Sequence, residues 1–124
     1  MIGQYPHRMS DHIQQVRPLD SAIAEEWIRE TDEPYVRAVS ASRHQEGQWW
    51  WVSVWVMEFI RTDPLESELR RRIADALRGV SGVTSVEEAD REVWTVTGAP
   101  TGEALVEAVA QVVDDLADQT RGAH

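Results

Sequence analysis

Residues 49–59 read WWWVSVWVMEF, and this run limits what the chain can fold into more than any other. In an extended strand, successive side chains point to opposite faces. Trp49, Trp51, Ser53, Trp55, Met57 and Phe59 therefore share one face, and Trp50, Val52, Val54, Val56 and Glu58 share the other. Both faces are apolar, so both need a cover. The valine face suits a layer of helices. At roughly 150–250 Å² per buried aromatic, the three indoles on the other face amount to ~450–750 Å². That matches or exceeds the ~300–600 Å² of the largest apolar patch a soluble monomer normally exposes. The candidate covers are the chain's own N-terminal segment, a second subunit or a ligand.

At 124 residues the chain suits one domain with one core. The expected division is an N-terminal arm over 1–17, an α+β domain over 18–120 and a frayed tail over 121–124. No apolar run approaches the ~20 residues of a membrane helix, and the start MIGQYPHRMSDHIQQ lacks the basic and apolar regions of a signal peptide. The expected location is the cytoplasm. Cysteine is absent, which removes disulfides, thiol nucleophiles and thiolate metal sites. Lysine and asparagine are absent too, and all twelve basic residues are arginine, a bias expected of a GC-rich genome such as an actinobacterial one. Without lysine there is no Schiff base and no phosphate-loop lysine. The net charge of −10 keeps the chain soluble, repels nucleic acid and anionic membranes, and favours cationic partners.

Asp20 or Ser21 is positioned to cap a short helix over 21–31, with Ile23, Trp27 and Ile28 on one side and Pro34 beyond its end. Residues 35–43 read as a strand, and HQEGQ with Gly47 turns the chain into the tryptophan strand. Asp63-Pro64-Leu65-Glu66 is a helix start of the capping-box kind. The helix it opens carries Leu65, Leu69, Ile73, Ala76, Leu77 and Val80 on one stripe, with Glu66/Arg70 and Glu68/Arg72 as i, i+4 pairs, and it stops at Gly79 to Gly82. Residues 83–88 and 92–97 form a second hairpin. Thr101 caps a last helix with a stripe of Leu105, Val109, Val112, Val113 and Leu116.

From Trp49 to Thr120 this order is β-α-β-β-α, most of a ferredoxin-like split β-α-β unit with two helices on one face of an antiparallel sheet. The expected fold is therefore α+β and ferredoxin-like, preceded by the N-terminal helix and an extra strand. Gly82-Val83-Thr84-Ser85-Val86 resembles the G-V-x-x-V step of heavy-metal-associated domains. The resemblance implies the fold only, because the cysteine pair of those domains is replaced here by Ile60-Arg61-Thr62-Asp63. Copper or zinc carriage by that route is excluded.

Chemistry-bearing residues are sparse. His7, Asp11 and His12 match no helical metal pattern, His44 lies in a turn beside Glu46, and His124 is terminal, so no metal site and no cofactor is expected. Ser40, Ser42 and Ser53 sit in no nucleophile elbow. Arg70-Arg71-Arg72 is flanked by Glu66, Glu68 and Asp75 and reads as a salt-bridged helix face. Glu58 is the most interesting ionisable residue, at the end of the valine face. Trp94 and Val96 either widen the indole face or join the core.

No catalytic motif is present, and four functions are expected to compete. In the first, the open face pairs with its copy in a homodimer. Burying ~450–750 Å² at about 25 cal/mol/Å² gives ~11–19 kcal/mol gross, against an association cost of ~4–15 kcal/mol. The second is a binding or sequestering protein for an aromatic or cationic small molecule, held between the indoles and the helix carrying Trp27. The expected interface or ligand residues are Trp49, Trp51, Trp55, Met57, Phe59, Trp27 and Trp94, with Glu58 and Arg37 as polar anchors. The third resembles the cofactor-free enzymes of the dimeric α/β-barrel type, in which Arg37, Glu58 and Trp55 would be the residues of interest. The fourth is an acidic immunity or antitoxin protein with a basic partner.

Overall fold

In a computed structural model, residues 13–31, 36–47, 49–56 and 64–122 are described. They form the strands β1 (Gln14–Val16), β2 (Ile23–Glu30), β3 (Val36–His44) and β4 (Trp49–Val56), the helix α1 (Pro64–Arg78), the strands β5 (Val83–Asp90) and β6 (Val93–Gly98), and the helix α2 (Gly102–Gly122). One six-stranded sheet results, in the order β1-β2-β3-β4-β6-β5, with every neighbouring pair antiparallel. The class is α+β.

The alternation in β4 decides the layering. Trp50, Val52, Val54 and Val56 are buried together with Trp94 and Val96 of β6 and Val39 and Ala41 of β3. Both helices close over that face: α1 contributes Leu69, Ile73 and Leu77, and α2 contributes Leu105, Val106, Val109, Val113 and Leu116. Trp94 is 1% exposed and is the largest fully buried side chain, so it belongs to the core and adds nothing to the indole face. Trp51 is 38% and Trp55 58% exposed on the opposite side.

Residues 23–30, expected as a helix, form β2. Its inward positions are Glu25, Trp27 and Arg29, opposite Arg43, Ala41 and Val39. Arg29 is 5% exposed and pairs with Asp114 of α2 at 3.3 Å, while the Trp27 indole donates to Glu25 at 2.6 Å. Charged residues therefore occupy the inner face of this strand, which hides the period of two and leaves a spacing that imitates an amphipathic helix. Asp20 turns the chain, though not as a helix cap. Its carboxylate accepts from the Ala22 N–H at 2.9 Å and its carbonyl from the Ile23 N–H at 3.0 Å, so β2 starts from a tight turn. Within the segment expected to be an arm, Gln14–Val16 pairs with β2 as β1.

The remaining elements follow their local signals. The Thr101 hydroxyl accepts from the Ala104 N–H at 3.2 Å at the start of α2. Gly82 and Gly98 hold φ of +93° and +127°, and a Cβ on Gly98 would collide with the Gly82 carbonyl, so only glycine permits β5 and β6 to meet there. Arg70 pairs with Glu88 at 2.7 Å, Arg72 with Glu68 at 2.8 Å and Arg71 with Glu68 at 3.0 Å, the salt-bridged face expected of the arginine triplet.

Trp94→Ala is expected to cost about 3–5 kcal/mol, because it empties a large site that both layers enclose. Trp55→Ser is expected to cost less than about 1 kcal/mol. Urea unfolding of both variants measures the contrast; equal losses would mean that the two tryptophans do not divide between core and surface.

Candidate functional site: the open sheet face

Both helices lie on one side of the sheet; on the other, Trp51 and Trp55 of β4 are exposed, while Ala38 and Ser40 of β3 are buried between their neighbours. The strand pairings place its side chains in rows that cross the molecule. One row runs Val16, Glu26, Ser42, Trp51, Thr95 and Glu87, from β1 to β5. Trp51 thus has a small hydroxyl residue on each side and, beyond it, a glutamate on each side. With strands ~4.8 Å apart, each glutamate backbone stands about 10 Å from that of Trp51. Glu26 leans toward the indole, since the Ser42 hydroxyl donates to its carboxylate at 2.9 Å. Glu87 lies on this face because its neighbours turn the other way: Val86 packs on the core and Glu88 bonds Arg70 of α1.

The adjacent row holds Gln14, Ile28, Ser40, Ser53 and Val93, and the next holds Glu30, Ala38 and Trp55. At the other end Trp49 pairs with Thr97. Trp49 and Trp51 meet edge to face with centroids 5.0 Å apart, and the His44 ring stacks on Trp49 at 4.5 Å and 13°. The Glu46 N–H donates to His44 Nδ1 at 3.1 Å, which fixes the ring against the indole. Trp49, Trp51, Thr95 and Thr97 line a wide, shallow depression of about 490 Å³.

The face is therefore aromatic and anionic. Among the described residues, no arginine occupies a paired position on it. Arg37, expected as a polar anchor, is exposed at the bulge between Val36 and Ala38, about 16 Å along β3 from the Trp51 row. Trp27, expected to hold a ligand against the indoles, lies on the helix-covered face, where a Cβ on Gly102 would run into its ring and that of Trp50. Trp27, Trp50, Glu25, Arg43 and the 98–103 segment border a second cleft of about 460 Å³. Met57, Glu58, Phe59, His7, His12 and His124 lie outside the described residues. Glu26, Glu87 and Thr95 escaped the sequence reading, and Ser42 entered it only as a hydroxyl outside any nucleophile elbow, because only the register across five strands gathers them around Trp51. The available signal was alternation in 83–88, which sets Glu87 opposite Val86.

A second concentration of charge sits where α1 meets the β5–β6 turn. Glu66, 3% exposed, receives Arg91 through two hydrogen bonds of 2.8 Å, with Arg70 at 3.8 Å and Glu92 beside it. Glu92 holds φ +63° in the turn, and its carbonyl accepts from the Val54 N–H at 3.0 Å. The Arg91 hydrogen bonds hold the Glu66 carboxyl at about 2, against an ordinary 4.5, and outweigh the opposing effect of burial; Glu92 and the arginine charges lower it further. This cluster ties a helix to a hairpin. Among the described residues no group of three or more histidines and carboxylates is placed to hold a metal ion.

Compared with known protein families, curated proteins and solved structures, the chain matches none.

A carboxyl whose folded pKa is depressed stabilises the fold above its unfolded value, and that contribution is lost as pH falls from about 4.5 toward about 2. Glu66→Gln is expected to lower stability at neutral pH and to flatten the acid limb in that window. Urea midpoints measured across pH 2–6 test it; an unchanged acid limb in the variant would remove Glu66 from the account.

Proposed function

We propose that this chain is a non-catalytic association module of the ferredoxin-like kind that works through its open tryptophan face, and that in the protein alone this face covers a second copy of itself. The observation that carries the reading is the exposure of Trp51 and Trp55 on the inner strand β4 of a sheet whose two described helices lie on the other side. The ferredoxin-like reading is supported by strand order: β6 inserts between β4 and β5, so β4-α1-β5 is a split β-α-β unit, and β3 flanks β4 on its outer side. A flat surface suits a protein partner better than an enclosed small molecule, which needs a concave site burying most of its area.

Size supports self-association. Five gaps of about 4.8 Å and strands of eight residues at about 3.3 Å each give a face of roughly 600 Å² in plan. A standard interface buries about 800 Å² of accessible surface per partner, which such a face supplies once its side chains are counted. Charge opposes it. A two-fold axis along the strands lays Glu26 over Glu87 of the copy, and one across the strands lays the Glu26 and Glu30 edge over itself. The dimer is accordingly weak and is strengthened by salt, which screens the opposed carboxylates.

Sedimentation velocity over a concentration series is expected to show a reversible monomer–dimer equilibrium that tightens with added NaCl. Trp55→Glu is expected to abolish it while leaving the circular dichroism of the monomer intact. A chain that stays monomeric at the highest concentration, or a dimer that survives both Trp55→Glu and Trp51→Glu, overturns the reading.

A further inference from the structure

We infer that the open face is built for a basic protein partner that lays an arginine on Trp51 between Glu26 and Glu87, and that this partner displaces the second copy. The inference rests on the open face being the working surface. Its support is the charge and geometry of the Trp51 row.

A second copy satisfies the indoles and leaves the carboxylates opposed; an arginine-bearing surface satisfies both. The row is symmetric in chemistry about Trp51: hydroxyl residues on both sides, then glutamates on both sides. The Glu26 carboxylate is already held toward the indole through Ser42. Trp49 and His44 meet the Trp51 ring edge to face at 5.0 and 5.8 Å, but Thr95 and Ser42 beside it are small, and its remaining 38% exposure is available to a flat group. A guanidinium is such a group. It stacks on an aromatic face, stays charged at every relevant pH, and presents donors in its own plane toward carboxylates at its edge. A lysine ammonium is a compact charge that cannot stack. The complement is absent from the row itself, since no described arginine holds a paired position on this face; Arg29 and Arg43, on the neighbouring strands, point to the helix side and are paired with Asp114 and Glu25. The threonine-lined depression beside Trp51 gives the aliphatic stem of the incoming side chain an apolar edge against Trp49.

Both occupants use one surface, so they exclude each other and respond to salt in opposite directions. Self-association strengthens with NaCl, whereas contact between the carboxylates and an arginine weakens.

The test uses the full chain and a capped peptide of roughly nine residues alternating arginine and serine, the length of one strand of this sheet. Isothermal titration gives its affinity, and sedimentation velocity reads the dimer in the same samples. The peptide is expected to bind, to dissociate the dimer, and to lose about tenfold or more in affinity with Trp51→Ala and with the Glu26→Gln/Glu87→Gln pair. The pair Glu107→Gln/Asp115→Asn, on the exposed side of α2, makes the same change in net charge and is expected to leave the affinity within about twofold. A lysine version of the peptide is expected to bind several-fold more weakly than the arginine version. Equal losses in the two double variants would assign the binding to net charge and overturn the inference, as would equal affinity for lysine and arginine, or binding that leaves the dimer intact. Failure of the peptide to bind, with a dimer that Trp55→Glu dissolves, assigns the face to a second copy alone. Failure of both means that the face is covered from within the chain, and then the proposed function falls with the inference.

Discussion

The packing of the inner face of β4 under both helices is the interaction on which the rest of the structure depends. Trp50, Val52, Val54 and Val56 meet α1 and α2 while Trp94 and Val96 meet them from the next strand. A strand has only two faces, so committing the valines to the core commits Trp49, Trp51 and Trp55 to the opposite side. The indole surface is the geometric remainder of the core, and a one-residue slip in register would exchange the two sets. Register is held where slipping costs most. The Val54 N–H is anchored to the Glu92 carbonyl in the β5–β6 turn, and that turn is held by Arg91 on Glu66 at the first turn of α1. The Glu66 cluster thus acts on the open face from a distance by fixing which way β4 points.

Charge is divided between the two sides of the sheet. On the helix side, buried or half-buried arginines find carboxylates on other elements: Arg29 with Asp114, Arg70 with Glu88, Arg91 with Glu66. These pairs tie the sheet and its β5–β6 turn to the helices, and Arg29 in particular has a partner where burial demands one. Among the described residues, the paired positions of the open side hold glutamates and no arginine. A net charge of −10 argues for solubility in general terms. Its arrangement, with carboxylates straddling an indole, gives the surface a chemical preference that the total does not convey.

Much of the fold was legible in the residues. The second hairpin, the start of α2 at Thr101, the buried stripes of both helices and the two faces of the tryptophan strand were readable because each depends on neighbours within a turn or two. β2 was not. Its inner positions carry Glu25 and Arg29, acceptable only because Arg43 and Asp114 arrive from β3 and α2 to meet them. Trp27 was expected on a helix over the indole surface and Trp94 either on that surface or in the core; both lie on the helix side, where β2 and β6 take their facing from the register of β3 and β4.

By itself the sequence determined the period of the elements from β3 onward, the split of β4 into an aliphatic and an aromatic face, and an excess of carboxylates with arginine as the only basic residue besides histidine. These are local or summed properties, written in the order and number of side chains. Only the tertiary structure decided that β6 inserts between β4 and β5, that residues 23–30 extend rather than coil, and that Glu26 and Glu87, 61 positions apart in sequence, flank one indole. Strand order and register are set by which hydrogen-bonding edges and apolar faces meet when the helices close the core, and no stretch of chain contains that information alone.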